Sequence, residues 1–440
     1  MQTLIKNAII ASNGVKYNEK HDILIKNGVI KKIEQEISQE SIEKLDKVID
    51  ANFKVVMPGF IDLECKTSQT GYENKDNMKN LTRAAVQGGY TTLVTSPKNM
   101  PIVDNKTVVE YVYSKSKNKN YINLYPIAGC TKNNSGTQIA EIGEMYLAGA
   151  VAISDADCSI TDTILLRDIF VYTKMLDITF ITSGLESKLG KSGMVHYGYI
   201  STKLGLKGIP YEAEVMEVSR KVILANYTGA KIHIPYITTL GAIEVIRKAK
   251  EEGTNITCST SPHYFTLTEK NIENYNTLAK VMPPLKEQKD IESIKDAIRD
   301  GTIDFITSGH SPVLLENKHV EFERAEFGIS SIDTVFSLTY TKLIKEFGGN
   351  LDYGIEAVSL LLSKRVADML KFKTKGEIAV GFDADIVIVD ESIEYIIDSK
   401  KFKSRAKFSP YDGEKVYGKV LLTMVSGNVL FDINNNVIIN

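Results

Sequence analysis

Val55-Val56-Met57-Pro58-Gly59-Phe60-Ile61-Asp62-Leu63-Glu64-Cys65-Lys66 is the stretch on which the reading of this chain turns. An apolar run rises into a Pro-Gly turn, and an alternating strand, Phe60–Cys65, leaves it. Before the stretch the pattern is one of short strands. After it, helix and strand patterns alternate for about 300 residues, the length a parallel α/β barrel needs. Leu81–Gly88 reads as helix and Tyr90–Thr95 as strand. Glu141–Ala148 is helical before the strand Gly149–Ile153, and Ile178–Thr182 is a further strand. Pro210–Thr228 reads as a long helix stopped by Gly229, followed by the strand Lys231–Ile237. Thr239–Gly253, Ile256–Ser261, Glu287–Asp300 and Ile303–Ser308 continue the alternation. Chemistry in such a barrel sits at the C-terminal ends of the strands, so the residues just after each strand are the candidates.

The two chain ends read differently. Leu4–Ile10 and Ile23–Ile25 alternate or run apolar, and Lys26-Asn27-Gly28 is a hairpin turn between Ile23–Ile25 and Val29–Ile33. Near the other end Ile386–Val389, Val416–Val420, Leu421–Val425 and Asn428–Phe431 read as short strands, with Gly427-Asn428 turning into the last.

Bulk composition narrows the classes. With 440 residues, 43% hydrophobic and 25% charged, the chain suits one large domain plus a smaller one. A net charge of −2 gives no reason to expect nucleic acid or an anionic membrane as partner. No apolar run reaches membrane-spanning length, and the first residues lack a signal-peptide layout, so a cytoplasmic protein is expected. Cys65, Cys130, Cys158 and Cys258 are isolated and read as reduced, buried thiols. No two of the six histidines are spaced to share a metal on one strand or helix.

Several words recur together in order. They are Pro58-Gly59-Phe60-Ile61-Asp62, Thr82 to Thr92, Leu204-Gly205-Leu206-Lys207-Gly208-Ile209-Pro210, Ala279 to Lys286, Asp300-Gly301-Thr302-Ile303-Asp304, Glu326-Phe327-Gly328-Ile329 and Ser409-Pro410-Tyr411. In this combination the chain resembles dihydroorotase, in the cyclic-amidohydrolase group of the amidohydrolase superfamily, over nearly its whole length. The resemblance implies an α/β fold: a (β/α)8 TIM-type barrel of the metal-dependent hydrolase kind, residues 53–372. It also implies a small β-sandwich built from both ends, residues 1–52 and 373–440.

The departures from the family pattern matter as much as the match. Family members hold one or two divalent ions, zinc above all, with histidines and carboxylates. The ions make hydroxide at neutral pH and polarise the scissile carbonyl, and an aspartate moves the proton to the leaving nitrogen. By the resemblance, the two first-strand histidine ligands fall on Glu64 and Lys66, the third on Ser183 and the fourth on Tyr236. An ammonium such as that of Lys66 repels a cation and has no lone pair to give. The catalytic aspartate falls on Gly309. The arginine that grips the substrate carboxylate falls on Ser68, and the asparagine after the second strand on Lys98. The asparagine before Pro-Pro falls on Met282 and the histidine after Ala-Pro on Val313. Only the bridging aspartate position keeps its chemistry, at Asp155.

Losing one member of a catalytic unit typically costs about ten-thousandfold or more, and here nearly every member is replaced. The expectation is therefore a dihydroorotase-like protein of pyrimidine biosynthesis without zinc or other cofactor and without the family's activity. The resemblance implies a structural or regulatory partner of aspartate carbamoyltransferase, or of an active dihydroorotase, itself a homo-oligomer. Two alternatives stand beside it: a cyclic-amide hydrolase with an altered site, and a protein that binds an anion or a pyrimidine intermediate. For the alternatives the residual pocket is Asp62, Glu64, Lys66, Lys98, Asp155 and His310. Asp62, Glu64, Asp155 and Asp157 would form a carboxylate cation site, or Lys66 and Lys98 a small-anion pocket. Against these, an internal Glu64–Lys66 ion pair shared with Asp155 is expected, since a buried lysine needs a carboxylate. His310 is expected to be structural.

Overall fold

The computed structural model describes residues 1–38, 42, 45–65, 78–98, 101–116, 122–156, 159–191, 193–346, 354–434 and 436–437. The opening stretch divides at its Pro-Gly turn. Val55–Pro58, buried throughout, pairs in parallel with Gln2–Ser12 and antiparallel with Ile386–Ile396. Phe60–Cys65 begins a different sheet, so the chain crosses from one sheet to the other at Gly59. Any Cβ at Gly59 would overlap the Thr91 side chain, and its N–H donates to Asp385 O at 2.9 Å. A residue with no side chain is the one that fits there.

The second sheet has eight strands in unbroken chain order, all parallel. They are β1 (Phe60–Cys65), β2 (Tyr90–Thr95), β3 (Asn123–Gly129), β4 (Ala152–Ser154), β5 (Phe180–Ile181), β6 (Ile232–Ile234), β7 (Ile256–Thr260) and β8 (Phe305–Ile306). Helices follow β2, β6 and β7 and precede β6 and β8, among them Glu212–Thr228, which Gly229 stops in a left-handed conformation at φ 72°. Sequential parallel strands with crossover helices make a (β/α)8 barrel. At its seam, where β8 returns to β1, Asp62 Oδ1 accepts the Ser308 N–H at 2.7 Å and Asp62 Oδ2 the Ser308 hydroxyl at 2.6 Å. Ile61, Leu63, Val94, Ile127, Ala152, Ile181 and Phe305 form one apolar cluster with Val366, Ala367 and Leu370.

Both chain ends enter a single ten-stranded sheet, with Ile386–Ile396 lying between Val55–Pro58 and Lys415–Val425. Val55–Pro58 belongs to this sheet, although residues 53–372 were expected in the barrel. Two further differences from the sequence pattern have physical causes. Val416–Val425 is one strand, not two: Ile388 faces Leu422 and Val389 faces Val420, so Leu421 is bulged out and the adjacent leucines do not end the strand. Strand β3 was hidden by Pro126, a residue that argues against a central strand. Among the described residues, no helix is long and apolar enough to cross a membrane. Cys65, Cys130 and Cys258 are buried and form no disulfide among the described residues, and Cys158 lies outside them.

Candidate active site

The C-terminal mouth of the barrel encloses a cavity of about 370 Å³, the size of a small-molecule site. Glu64, Lys98, Asp155, Ser183, Tyr236 and Met282 all line it, so positions scattered over more than 200 residues of sequence converge there. Gly309 and His310 line a smaller side chamber that shares Tyr236, Met282 and Phe327 with it. Val313 lines neither: it packs with Ala406 and Phe408 in a separate cluster. Lys66, Ser68 and Asp157 lie outside the described residues, and with them the expected Glu64–Lys66 pair.

Asp155 follows β4 and is buried. Its Oδ1 accepts the Ser183 N–H at 3.1 Å, and its Oδ2 accepts the Thr182 hydroxyl at 2.7 Å. The third partner is Lys221, whose Nζ lies 3.2 Å from Oδ2. Lys221 has no solvent exposure, at 0%. It also donates to Ser183 O at 2.6 Å and to Thr182 Oγ1, and it sits 3.1 Å from Glu217 Oε1. Glu217 in turn accepts from Ser159 Oγ at 2.7 Å and from Arg220 Nη2 at 2.9 Å. Burial pushes the Glu217 carboxyl up, but Lys221 and Arg220 together hold it below the ordinary glutamate value.

Lys221 was not read from the sequence as a site residue. It comes from the inward stripe of the helix Glu212–Thr228, where Ala213, Glu214, Glu217, Val218, Lys221, Ala225 and Thr228 are buried. The available signal was Glu217-x-x-x-Lys221 standing in register with the apolar stripe. Glu214, on the same stripe, accepts the Thr238 and Thr239 N–H groups at 2.8 and 3.0 Å. It thereby fixes the turn after β6 that carries Tyr236, itself held at φ 57°.

The alternative carboxylate cation site is not assembled among the described residues. Asp62 is bound to Ser308 at the seam and lines neither cavity. Strand alternation puts Asp62 and Glu64 on one face, but Glu64 has a left-handed backbone at φ 59°. The β1–β2 register shifts between Asp62 and Cys65, and the two carboxylates part. Glu64 turns to the cavity, where Ser154 Oγ lies 3.4 Å from its Oε1. Among the described residues, no group of three or more His, Cys, Asp or Glu is placed to hold a metal ion. Asp155 has both oxygens engaged, one of them by an ammonium. The described donor set does not fit a zinc ion.

Three buried histidines near the barrel mouth fall into two kinds. His233 is engaged at both ring nitrogens, by Thr257 Oγ1 at 3.0 Å and Ser259 Oγ at 3.1 Å, and stacks on Phe305 with centroids 4.8 Å apart. His263 and His310 flank Gly309 beside the side chamber. Burial holds all three uncharged, their pKa values pushed down to about 3.

Gly309 is itself constrained. Its φ is 61°, and a Cβ would lie 2.5 Å from His263 Cε1 and 2.7 Å from Ser261 Oγ. Writing an aspartate back by Gly309→Asp therefore adds left-handed backbone strain and overpacking, together about 2–4 kcal/mol of destabilisation. Urea midpoints measure it. A variant within about 0.5 kcal/mol of the parent, the range of an ordinary surface change, would mean that the loop relaxes freely.

Comparison with known proteins agrees with this architecture. Residues 53–241 match the family described as Dihydro-orotase-like. The chain is 38% identical to a dihydroorotase of Acetivibrio thermocellus over 97% of its own length and 98% of that protein. It is 39% identical to a dihydroorotase of Caldanaerobacter subterraneus subsp. tengcongensis, covering 99% and 98%. The L-hydantoinase (dihydropyrimidinase) of Arthrobacter aurescens superposes with a TM-score of 0.84 at 22% identity, covering 98% and 96%, a likeness of fold. Full-length identity of this order, on a barrel whose mouth gathers the motif positions, makes the chain a member of the dihydroorotase-like family.

Proposed function

We propose that this chain is a metal-free member of its family. In it the Lys221 ammonium supplies the positive charge that Asp155 requires, and hydrolysis of cyclic amides has been lost. The observation that supports this reading is the fully buried Lys221 bound to Asp155, Thr182, Ser183 and Glu217. An ammonium can neutralise a carboxylate. It has no empty coordination position, so it can neither lower the pKa of a bound water nor polarise a carbonyl as a Lewis acid. On this reading the protein serves pyrimidine biosynthesis as a structural or regulatory partner of aspartate carbamoyltransferase or of an active dihydroorotase, and is a homo-oligomer.

The test is metal content of the purified protein, with dihydroorotate turnover assayed on the same sample after zinc and manganese addition. No bound transition metal and no turnover are expected. One or two ions per chain with turnover would reject the proposal.

A second reading, an altered cyclic-amide hydrolase, is favoured by the open cavity of about 370 Å³ and by the 38–39% identity to proteins named dihydroorotase. It predicts turnover in the same assay, with or without added metal.

A further inference from the structure

Two neighbouring helices of the barrel's outer ring are apolar on both sides. Thr163–Met175 buries Leu166, Ile169 and Phe170, and Glu212–Thr228 buries the stripe that carries Lys221. A surface helix of this kind ordinarily turns a polar face to water. The first of these presents Ile164, Val171 and Met175 outward, and the second Met216, Ile223 and Tyr227. All six are exposed, Met175 and Tyr227 at 77%. The spacing is i, i+7, i+11 in both helices, which keeps each trio on one line along the helix surface. Further round the same ring, Leu240–Glu251 and Gln288–Arg299 carry no exposed large apolar side chain among the described residues.

The two stripes lie side by side. Lys174 Nζ donates to Thr228 O at 2.8 Å at the C-terminal end of the pair. Arg220 Nη2 donates to Ile160 O at 2.7 Å towards the other end, so the helices run parallel. Packed helices lie about 8–10 Å apart, close enough for the stripes to make one face. Its six side chains leave roughly 700 Å² of largely apolar surface in water, more than the about 300–600 Å² of an ordinary monomer's largest patch and near the about 800 Å² that each partner brings to a standard interface.

The charges on this face are matched within the chain, Arg167 by Asp168 at 2.6 Å and Arg220 by Glu217 at 2.9 Å. No excess of one sign is left to repel an identical surface. The ends of the helices differ in sign. Asp162 caps the start of the first helix and Glu212 opens the second, while Lys174 stands in a last turn. A two-fold axis across the helices sets them antiparallel to those of a copy, with acidic starts over a basic end and helix dipoles opposed favourably.

We propose that the outward face of Thr163–Met175 and Glu212–Thr228 is the contact surface between two copies of this chain, related by such a two-fold axis. The inference rests on the homo-oligomer proposed above and names the surface that holds it. The inner side of Glu212–Thr228 carries the Lys221 cluster, so one helix serves both the barrel mouth and the contact between copies.

Sedimentation velocity of the full chain at about 10 μM, where a sub-micromolar dimer is nearly all assembled, reads this directly. The wild type is expected at twice the chain mass. Ile223→Glu puts an unpaired carboxylate in the middle of the face and is expected to weaken association at least about a hundredfold, leaving a monomer with the parent's circular dichroism. Met175→Glu tests the other helix, and it replaces Ile223→Glu should that variant fail to fold. Val380, 60% exposed and beside the chain-end sheet, is the control: Val380→Glu is expected to stay dimeric. A monomeric wild type would overturn this proposal and the homo-oligomer together. An oligomeric wild type that survives both Ile223→Glu and Met175→Glu, or one that Val380→Glu dissociates equally, would overturn this surface alone. Neither metal content nor turnover enters the experiment, so its outcome is separate from that of the hydrolysis assay.

Discussion

Acidification from pH 7 to pH 5 is expected to remove about 6 kcal/mol of folding stability through three histidines alone. His263 and His310 are held neutral by burial, and His233 by burial with a smaller contribution from Lys250, with pKa values near 3 against an ordinary 6.5. The unfolded chain binds these protons first. Stability is therefore fully present above about pH 6.5 and falls as pH drops towards 3, by about 1.4 kcal/mol per histidine per pH unit. Asp62 works in the opposite direction. Burial, opposed by the Ser308 hydrogen bonds, raises its pKa from 3.8 to about 6, so it adds about 1 kcal/mol over the same interval. Against a typical total of about 5–15 kcal/mol, the net loss of about 5 kcal/mol by pH 5 removes a third or more of the stability. The chain has no tryptophan, so far-ultraviolet circular dichroism, with urea midpoints at pH 7 and pH 5, is the suitable measurement. An unchanged urea midpoint at pH 5 would show that these imidazoles are solvated.

Lys221→Met is expected to cost about 3–5 kcal/mol, the usual result of removing one partner from a buried ion pair. The side chain keeps nearly the same length, so packing in the stripe of Glu212–Thr228 is largely preserved and the loss reports charge. What remains is Asp155, buried without its ammonium, while Glu217 keeps Arg220 Nη2 at 2.9 Å. A double-mutant cycle with Asp155→Asn should recover part of the loss, since the two residues act as a pair. A Lys221→Met protein as stable as the parent would show that the ammonium does not hold the mouth of the barrel.

The barrel was largely legible because periodicity reports faces. Tyr90–Thr95 is a strand with the expected limits, and Gly229 ends its helix through the conformational freedom that makes glycine a stop signal. The misses arise where one residue has two readings. Pro126 argues against a strand that neighbours on both sides nonetheless enforce, and Leu421-Leu422 breaks an alternation that a bulge absorbs. In the site, the motif positions Glu64, Asp155, Ser183, Tyr236 and Met282 line one cavity. The central cation was invisible for a simple reason. Glu217 and Lys221 are four apart on a helix, a spacing that usually marks a solvated surface pair. Only the burial of that face distinguishes the two cases, and burial depends on β4 and β5 being in place. Asp62 does not join Glu64 at the cavity because alternation assumes a regular strand, and Glu64 leaves it.

The Asp62–Ser308 latch joins residues 246 apart in sequence. Ribosomes add about 5–20 residues per second, so during synthesis the first barrel strand waits roughly 12–50 s for the strand that completes it. The wait of Val55–Pro58 for Ile386–Ile396 is longer still. Throughout that interval two apolar strands near the N-terminus have unpaired edges, the condition under which nascent chains associate with one another. Yield in a cell should therefore depend on elongation rate and chaperone supply as well as on the stability of the finished barrel.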